Sequence, residues 1–334
     1  MRWSDPGVLA AIGIGAAALS AAGTRLAQTY ARRKGLFDQP GERRSHAVAT
    51  PRGGGIGIVV ACLGLLLLLA AKESQPLPWG LVAAGLLLVA GIGWWDDHRP
   101  LRAWPRLLVH AVAAGLLASA MWLQGADPRA SLAGFTLALG LVNAWNFMDG
   151  IDGLAASQAM LCGLGLACVL TGPWSALGVA IFGACLGFLP YNLPRARVFL
   201  GDVGSGALGY LMAVLLAAGV AQQPLEGWPI LLLAPMAMLL DAGLTLCWRM
   251  RRGERWWHAH AQHLYQRQSR RYGHAKVGLA YALWTLGAIG LMLVLQGQPA
   301  MPALAISISV FVAGGLLWLQ LHGTSESATE GFGT

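Results

Sequence analysis

Residues 131–155 read SLAGFTLALGLVNAWNFMDGIDGLA, an apolar run that ends in four evenly spaced polar residues. At ~1.5 Å of rise per residue, the run at 131–148 approaches the ~30 Å of a hydrocarbon core. Asn143, Asn146, Asp149 and Asp152 then fall at every third position. On an unbroken helix turning ~100° per residue, Asn143 and Asp152 would point to opposite faces. Gly150 and Gly153 allow the backbone to break, so that both acids turn back toward the amides and close an oxygen-rich pocket at the end of a span. Such hard oxygens suit Mg²⁺, which takes one or two carboxylates and completes its shell with water and phosphate. A loop cap is the plainer alternative, but two amides and two acids at a bilayer boundary are costly for that purpose alone.

Working outward, apolar runs recur near 8–28, 54–71, 79–95, 105–124, 154–172, 175–190, 203–221, 229–248, 277–296 and 301–320. With 131–148 these make eleven. The chain is 56% hydrophobic and 11% charged, with mean hydropathy +0.56, a balance foreign to a water-soluble fold of 334 residues. The expected fold is all-α: a polytopic transmembrane helix bundle of about 11 spans. Residues 1–321 form one membrane domain with cytoplasmic loops at 29–53, 96–104, 149–153, 191–202 and 249–276, and 322–334 form a polar tail expected to be disordered. The first run could be the core of a signal peptide, but its basic cluster, Arg32, Arg33 and Lys34, follows it instead of preceding it.

Charge gives an orientation. Arg43, Arg44, Arg52, Arg99, Arg102, Arg195, Arg197 and a dense group from Arg249 to Lys276 join that first cluster on one side, against Arg2, Lys72 and Arg129 on the other. Basic loops stay cytoplasmic, which places the N-terminus outside and the C-terminus inside. The net charge of +8 is thereby confined to one face, where it meets anionic headgroups or a phosphorylated ligand; a nucleic-acid partner is not expected. All five cysteines fall within expected spans without metal or redox spacing and read as packing residues without disulfides.

Four further cytoplasmic segments concentrate polar chemistry. Leu36 to His46, followed by Pro51-Arg-Gly-Gly-Gly55, brings Arg43, Arg44, His46 and Arg52 to a glycine loop that an anion can approach closely, or serves as a basic anchor. Asp96-Asp97 is a repelling pair explained by a shared cation, a proton relay or a basic partner, or by a polar helix end. Asn192 to Gly206 holds Asp202 between glycines and arginines, where either an N-cap or a meeting of metal and diphosphate fits. The last segment carries His258, His260, His263 and Arg267. These lack the acid or cysteine a zinc site needs and are better suited to holding a diphosphate, or to a solvated basic loop. Asp241, deep in the ninth run, should face the bundle interior.

From residue 36 to about 267 these motifs, in this order, resemble the polyprenyl-phosphate N-acetylhexosamine-1-phosphate transferases, glycosyltransferase family 4. The run Asn-x-x-Asn-Phe-x-Asp-Gly-x-Asp-Gly-Leu-Ala at 143–155 is the most specific, and His263-Leu-Tyr-Gln-Arg267 resembles the O-antigen-initiating branch. The resemblance implies a bacterial inner-membrane enzyme with its active site on the cytoplasmic face. It would transfer an N-acetylated hexosamine 1-phosphate, the 6-deoxy forms included, from a UDP-N-acetylhexosamine to undecaprenyl phosphate, release UMP, and start O-antigen or similar glycan assembly in lipopolysaccharide biosynthesis. It further implies Mg²⁺, with Mn²⁺ as a substitute, held by Asp202, Asp149 and Asp97, and chemistry at Asp96, Asp97, Asp149 and Asp152. Substrate contacts would come from His46, Arg52, Asn143, Asn146, Asn192, His258, His260, His263 and Arg267, and a homodimer is compatible with the resemblance. A transporter for a nucleotide- or lipid-linked sugar is the main rival, but its acids would be spread through the bilayer. A non-catalytic scaffold would account for the basic loops and not for the 143–152 cluster.

Overall fold

The computed structural model describes residues 3–39, 48–125, 127–224, 227–255 and 260–330, with side chains to 323. Its helices are α1 (Pro6–Lys34), α2 (Ile56–Lys72), α3 (Pro76–His98), α4 (Ala103–Leu123), α5 (Pro128–Phe147), α6 (Leu154–Ala167), α7 (Pro173–Asn192), α8 (Asp202–Gln222), α9 (Met236–Arg251), α10 (Leu264–Tyr272), α11 (His274–Leu295) and α12 (Ala300–Glu330). The α1–α2 connection adds a two-residue antiparallel pair, β1 (Phe37–Asp38) with β2 (Thr50–Pro51). Pro6, Pro76, Pro128 and Pro173 open α1, α3, α5 and α7, where a fixed φ helps and the missing N–H would have been unpaired anyway. Asp5 and Asp127 cap two of these starts with their carboxylates.

The centre of the bundle is α8, buried along its whole apolar length, as a helix hydrophobic on every side must be. It lies against α5 and α3, with α2, α4, α6 and α7 also in contact. At the periphery Ile14, Leu19 and Leu26 of α1, Leu279, Leu283 and Leu286 of α11, and Ile308, Val312 and Leu316 of α12 point outward. In a polytopic bundle such leucine-rich outer faces are the lipid contact. Cys62, Cys162 and Cys185 are buried, Cys168 and Cys247 exposed, and all five are unpaired.

Every expected run contains a helix, but the runs are not equal. Among the described residues eight helices are both long and apolar enough to cross a membrane: α1, α3, α4, α5, α7, α8, α11 and α12. Two more, α2 and α6, are apolar but shorter. The run at 229–248 is divided into a 3₁₀ turn, Trp228–Leu233, and α9, because Pro235 brings no N–H to a continuous ladder. Among the described residues α10 is a helix that the sequence reading left inside a loop, and α12 continues to Glu330, beyond the point where a tail was expected.

Candidate active site

Asp97, the last acid of α3, is buried and points at the start of α8. Its Oδ1 accepts the Asp202 N–H at 3.0 Å and its Oδ2 the Val203 N–H at 3.2 Å. Those donors lack partners within their own helix, and the positive end of the helix dipole adds to the attraction. Missing side chains permit the approach. A Cβ on Gly93 would lie 2.4 Å from the Asp202 carbonyl oxygen, and one on Gly201 would lie 2.6 Å from Asp97 Oδ2. Gly201, at φ +75°, holds the N-cap position, so the capping carboxylate comes from Asp97 and not from Asp202.

Asp202 is thereby released for other contacts. Its Oδ2 lies 2.8 Å from Arg106 Nη2, while Arg106 Nη1 lies 3.2 Å from Asp96 Oδ2, and the carboxyls of Asp96 and Asp202 are near enough to oppose each other's charge. Asp96 also accepts the Leu101 N–H at 2.6 Å. The adjacent acids of α3 thus diverge, one to Arg106 and one to the α8 terminus. Arg52 reaches Asp38 Oδ1 at 2.9 Å, and its Nε, 3.9 Å from Asp97 Oδ1, is buried without a hydrogen-bond partner. The Gly54 and Gly55 N–H groups donate to the carbonyls of Phe199 and Leu200, each at 2.9 Å, and fasten this loop along the segment that carries Asp202.

The broken helix is present: α5 ends at Phe147, a turn follows, and Gly153 at φ +74° opens α6. Asn146 donates to Ser205 Oγ of α8 at 3.1 Å, whereas Asn143 donates to Leu139 of its own helix at 2.7 Å. Enclosure and the nearby carboxylates of Asp202 and Asp97 hold the Asp149 carboxyl well above the usual carboxylate range, against the pull of Arg52. Asp152 is within electrostatic reach of Asp149 but pairs elsewhere: Oδ2 accepts the Ala196 N–H at 3.2 Å and lies 3.5 Å from His274 Nδ1. Asn192 is committed on both sides, accepting the Gly153 N–H at 2.7 Å and donating to the Val198 carbonyl at 2.9 Å.

On the same turn, Phe147 is stacked with His263 at 6.0 Å between ring centroids and tilted against His260 at 6.5 Å, and its carbonyl accepts the Tyr265 hydroxyl at 2.9 Å. Burial pushes the His260 ring down to about 4, helped by His263 and Arg249, and burial lowers His263 as well. Both rings are thereby held toward the neutral imidazole form, which can donate a hydrogen bond but carries no charge. Asp241 repeats the device of Asp97, accepting the N–H groups of Leu264 and Tyr265 at 2.8 and 3.0 Å and capping α10 from α9. It is also bound by Thr245, Tyr281 and Trp318, which explains a buried acid without chemistry. Arg267 is drawn to His322 of α12, at 2.9 Å from Nδ1. His46, with Arg43 and Arg44, and His258 lie outside the described residues.

The structure therefore gathers Asp96, Asp97, Asp149, Asp202, Asn146 and Arg52, places His260 and His263 beside the same turn, and leaves Asn143, Asp152, Asn192 and Arg267 engaged at its edges. Sequence reasoning held Asp38, Ser205 and Tyr265 within its motifs without giving them a role, and passed over Arg106. Arg106 carried a usable signal, as an ionisable residue one turn inside an apolar helix. Among the described residues no three acid, histidine or cysteine side chains form a ready-made metal set. The donor chemistry nonetheless fits a hard cation: the Asp202 charge opposes both Asp96 and Asp149, and guanidinium groups supply what neutralisation there is.

Comparison with known proteins identifies the family. Residues 79–220 match the profile described as glycosyl transferase family 4. A decaprenyl-phosphate N-acetylglucosaminephosphotransferase of Mycobacterium tuberculosis is 31% identical over 323 residues, covering 83% of this chain and 80% of the relative. A phospho-N-acetylmuramoyl-pentapeptide-transferase of Thermosynechococcus vestitus is 37% identical over 216 residues, 55% of each chain. A probable undecaprenyl-phosphate N-acetylglucosaminyl 1-phosphate transferase of Bacillus subtilis is 29% identical over 214 residues, 59% of each.

Proposed function

The chain belongs to glycosyl transferase family 4, and from that premise we propose that it transfers an N-acetylhexosamine 1-phosphate from a UDP-linked donor to undecaprenyl phosphate, releasing UMP. One observation carries the reading: Asp97 from α3, Asp149 from the α5–α6 turn and Asp202 from α8 converge at one end of the most buried helix, beside Arg52 and Arg106. That end belongs to the basic side of the chain, so the site faces the cytoplasm, where a soluble nucleotide sugar and a lipid phosphate can meet.

In the reaction an oxygen of the acceptor phosphate attacks the phosphorus attached to the sugar. The bond from that phosphorus to the oxygen bridging it to UMP breaks, and UMP leaves with the bridging oxygen. A phosphate monoester loses its second proton near pH ~6, so the acceptor is already largely dianionic at neutral pH and needs little help from a base. The obstacle is the meeting of two anions. Asp202 and Asp149 would hold Mg²⁺, with Asp96 beside them, and the bound ion would offset phosphate charge and stabilise the transferring group. Asp97 has both oxygens committed to α8 and fixes the position of Asp202. Arg52 offers its unpartnered Nε to the diphosphate, Asn146 orients the mouth of the pocket through Ser205, and His260 and His263 donate hydrogen bonds to the donor.

The donor sugar is a separate matter. The relatives' names carry N-acetylglucosamine and N-acetylmuramoyl-pentapeptide, whereas the loop at 263–267 led to the O-antigen-initiating branch and a 6-deoxy sugar. Purified protein in detergent, given undecaprenyl phosphate, Mg²⁺ and a panel of UDP-N-acetylhexosamines, tests both points. UMP release with formation of a lipid-linked sugar is expected, lost in chelator and restored by Mg²⁺ or Mn²⁺. Absence of UMP from every donor in this compartment-free setting would favour transport over transfer.

A further inference from the structure

The arginines between α7 and α8 were expected to serve the diphosphate, but Arg197 turns away from the acids. It lines a groove of about 640 Å³ between α1 and α7, together with Ala17, Ala21, Arg25, Gln28 and Tyr191. The α1 residues fall at successive turns of one face. Deeper in the same seam the two backbones touch, since a Cβ on Gly187 would lie 2.2 Å from the Ala17 carbonyl oxygen. Toward the basic end the groove opens, floored by small residues and Pro190 and walled by two guanidinium groups.

Charge decides what fits. Among the described residues no acid lines the groove and Arg25 has no side-chain partner. Arg197 donates to the Pro190 carbonyl and lies over the Tyr191 ring at 5.5 Å, while Gln28 Nε2 holds the Arg197 carbonyl at 2.8 Å, so one guanidinium is fixed in place and the other is unpaired. Both stand close to the basic end of α1, at Arg32, Arg33 and Lys34, where the bilayer's phosphates lie. A groove with a floor of small side chains and proline and a dibasic rim at that depth is complementary to a phosphodiester headgroup with its acyl chains along the helices. The reacting acceptor is a poor match, because its phosphate must lie among carboxylates that this groove lacks.

We propose that the α1–α7 groove is a binding site for an anionic phospholipid, held through its phosphate by Arg25 and Arg197. The test is native mass spectrometry of the full chain, delipidated in a neutral detergent and titrated with phosphatidylglycerol or phosphatidylcholine. Wild type should retain phosphatidylglycerol selectively. Arg25→Gln, which breaks no contact within the fold, should weaken that retention about fivefold, as expected for one interfacial basic residue, and Arg25→Gln/Arg197→Gln should abolish the selectivity. Arg33→Gln/Lys34→Gln, outside the groove, should bind as wild type. Equal retention by Arg25→Gln and wild type would overturn the proposal. So would displacement of the bound lipid by undecaprenyl phosphate at concentrations where phosphatidylglycerol fails to compete, which would assign the groove to the acceptor.

Discussion

Arg106 holds Asp96 and Asp202 together through two separate guanidinium nitrogens, which makes it the local substitute for a divalent charge. Arg106→Ala leaves those carboxylates facing each other, so Mg²⁺ should raise the melting temperature of this variant by more than that of wild type; equal shifts would show that the pair does not take part in cation binding. Asp97→Asn removes a buried anion from the end of α8 and should cost about 1.5–3 kcal/mol in thermal or denaturant unfolding, the range for hydrogen bonds to charged groups. His260 makes a pH prediction. Its folded pKa, about 4, lies below the ~6.5 of an unfolded histidine, so its contribution to stability is complete above pH ~6.5 and is lost as the pH falls toward 4. His260→Gln should flatten the fall in melting temperature across that window, and an unchanged slope would place the acid sensitivity elsewhere. These residue types could be read from the sequence, because acids and amides beside apolar runs stand out. Their partners could not. Asp97 and Asp202 are 105 residues apart, and no local pattern tells a capping carboxylate from a catalytic one.

At the scale of elements, the contact of α3 with α8 sets the site, and glycines set the contact. Gly93→Ala would place a methyl 2.4 Å from the Asp202 carbonyl oxygen, whereas Gly91→Ala, two positions earlier on the same helix, meets nothing within 4 Å. The first should lose about 1–3 kcal/mol of stability and most of its turnover by displacing the start of α8; the second should match wild type in both. If the two variants behave alike, helix approach is not what positions Asp202. Apolar length was enough to find α1, α3, α4, α5, α7, α8, α11 and α12. It failed at 229–248, where an apolar run hid the interruption at Pro235, and at α10, whose composition is polar. The short helix did carry a signal, a capping box from His263 to Gln266, that a search for spans passes over.

Across the whole molecule, the proposed reaction requires separate helices to bring carboxylates to one boundary, where two anionic substrates can meet. A transporter would need acids along a path through the bundle, but the buried acid away from the cluster, Asp241, is saturated by hydrogen bonds from α9, α10, α11 and α12. Asp202 is the residue whose loss best separates chemistry from folding, because the N-terminus of α8 is capped by Asp97 and does not need the Asp202 side chain. The decisive measurement is UMP release by purified, folded Asp202→Ala at saturating UDP-N-acetylhexosamine, undecaprenyl phosphate and Mg²⁺. Turnover should fall by about 100-fold or more, with a melting temperature near that of wild type. Wild-type turnover in this variant would contradict the account.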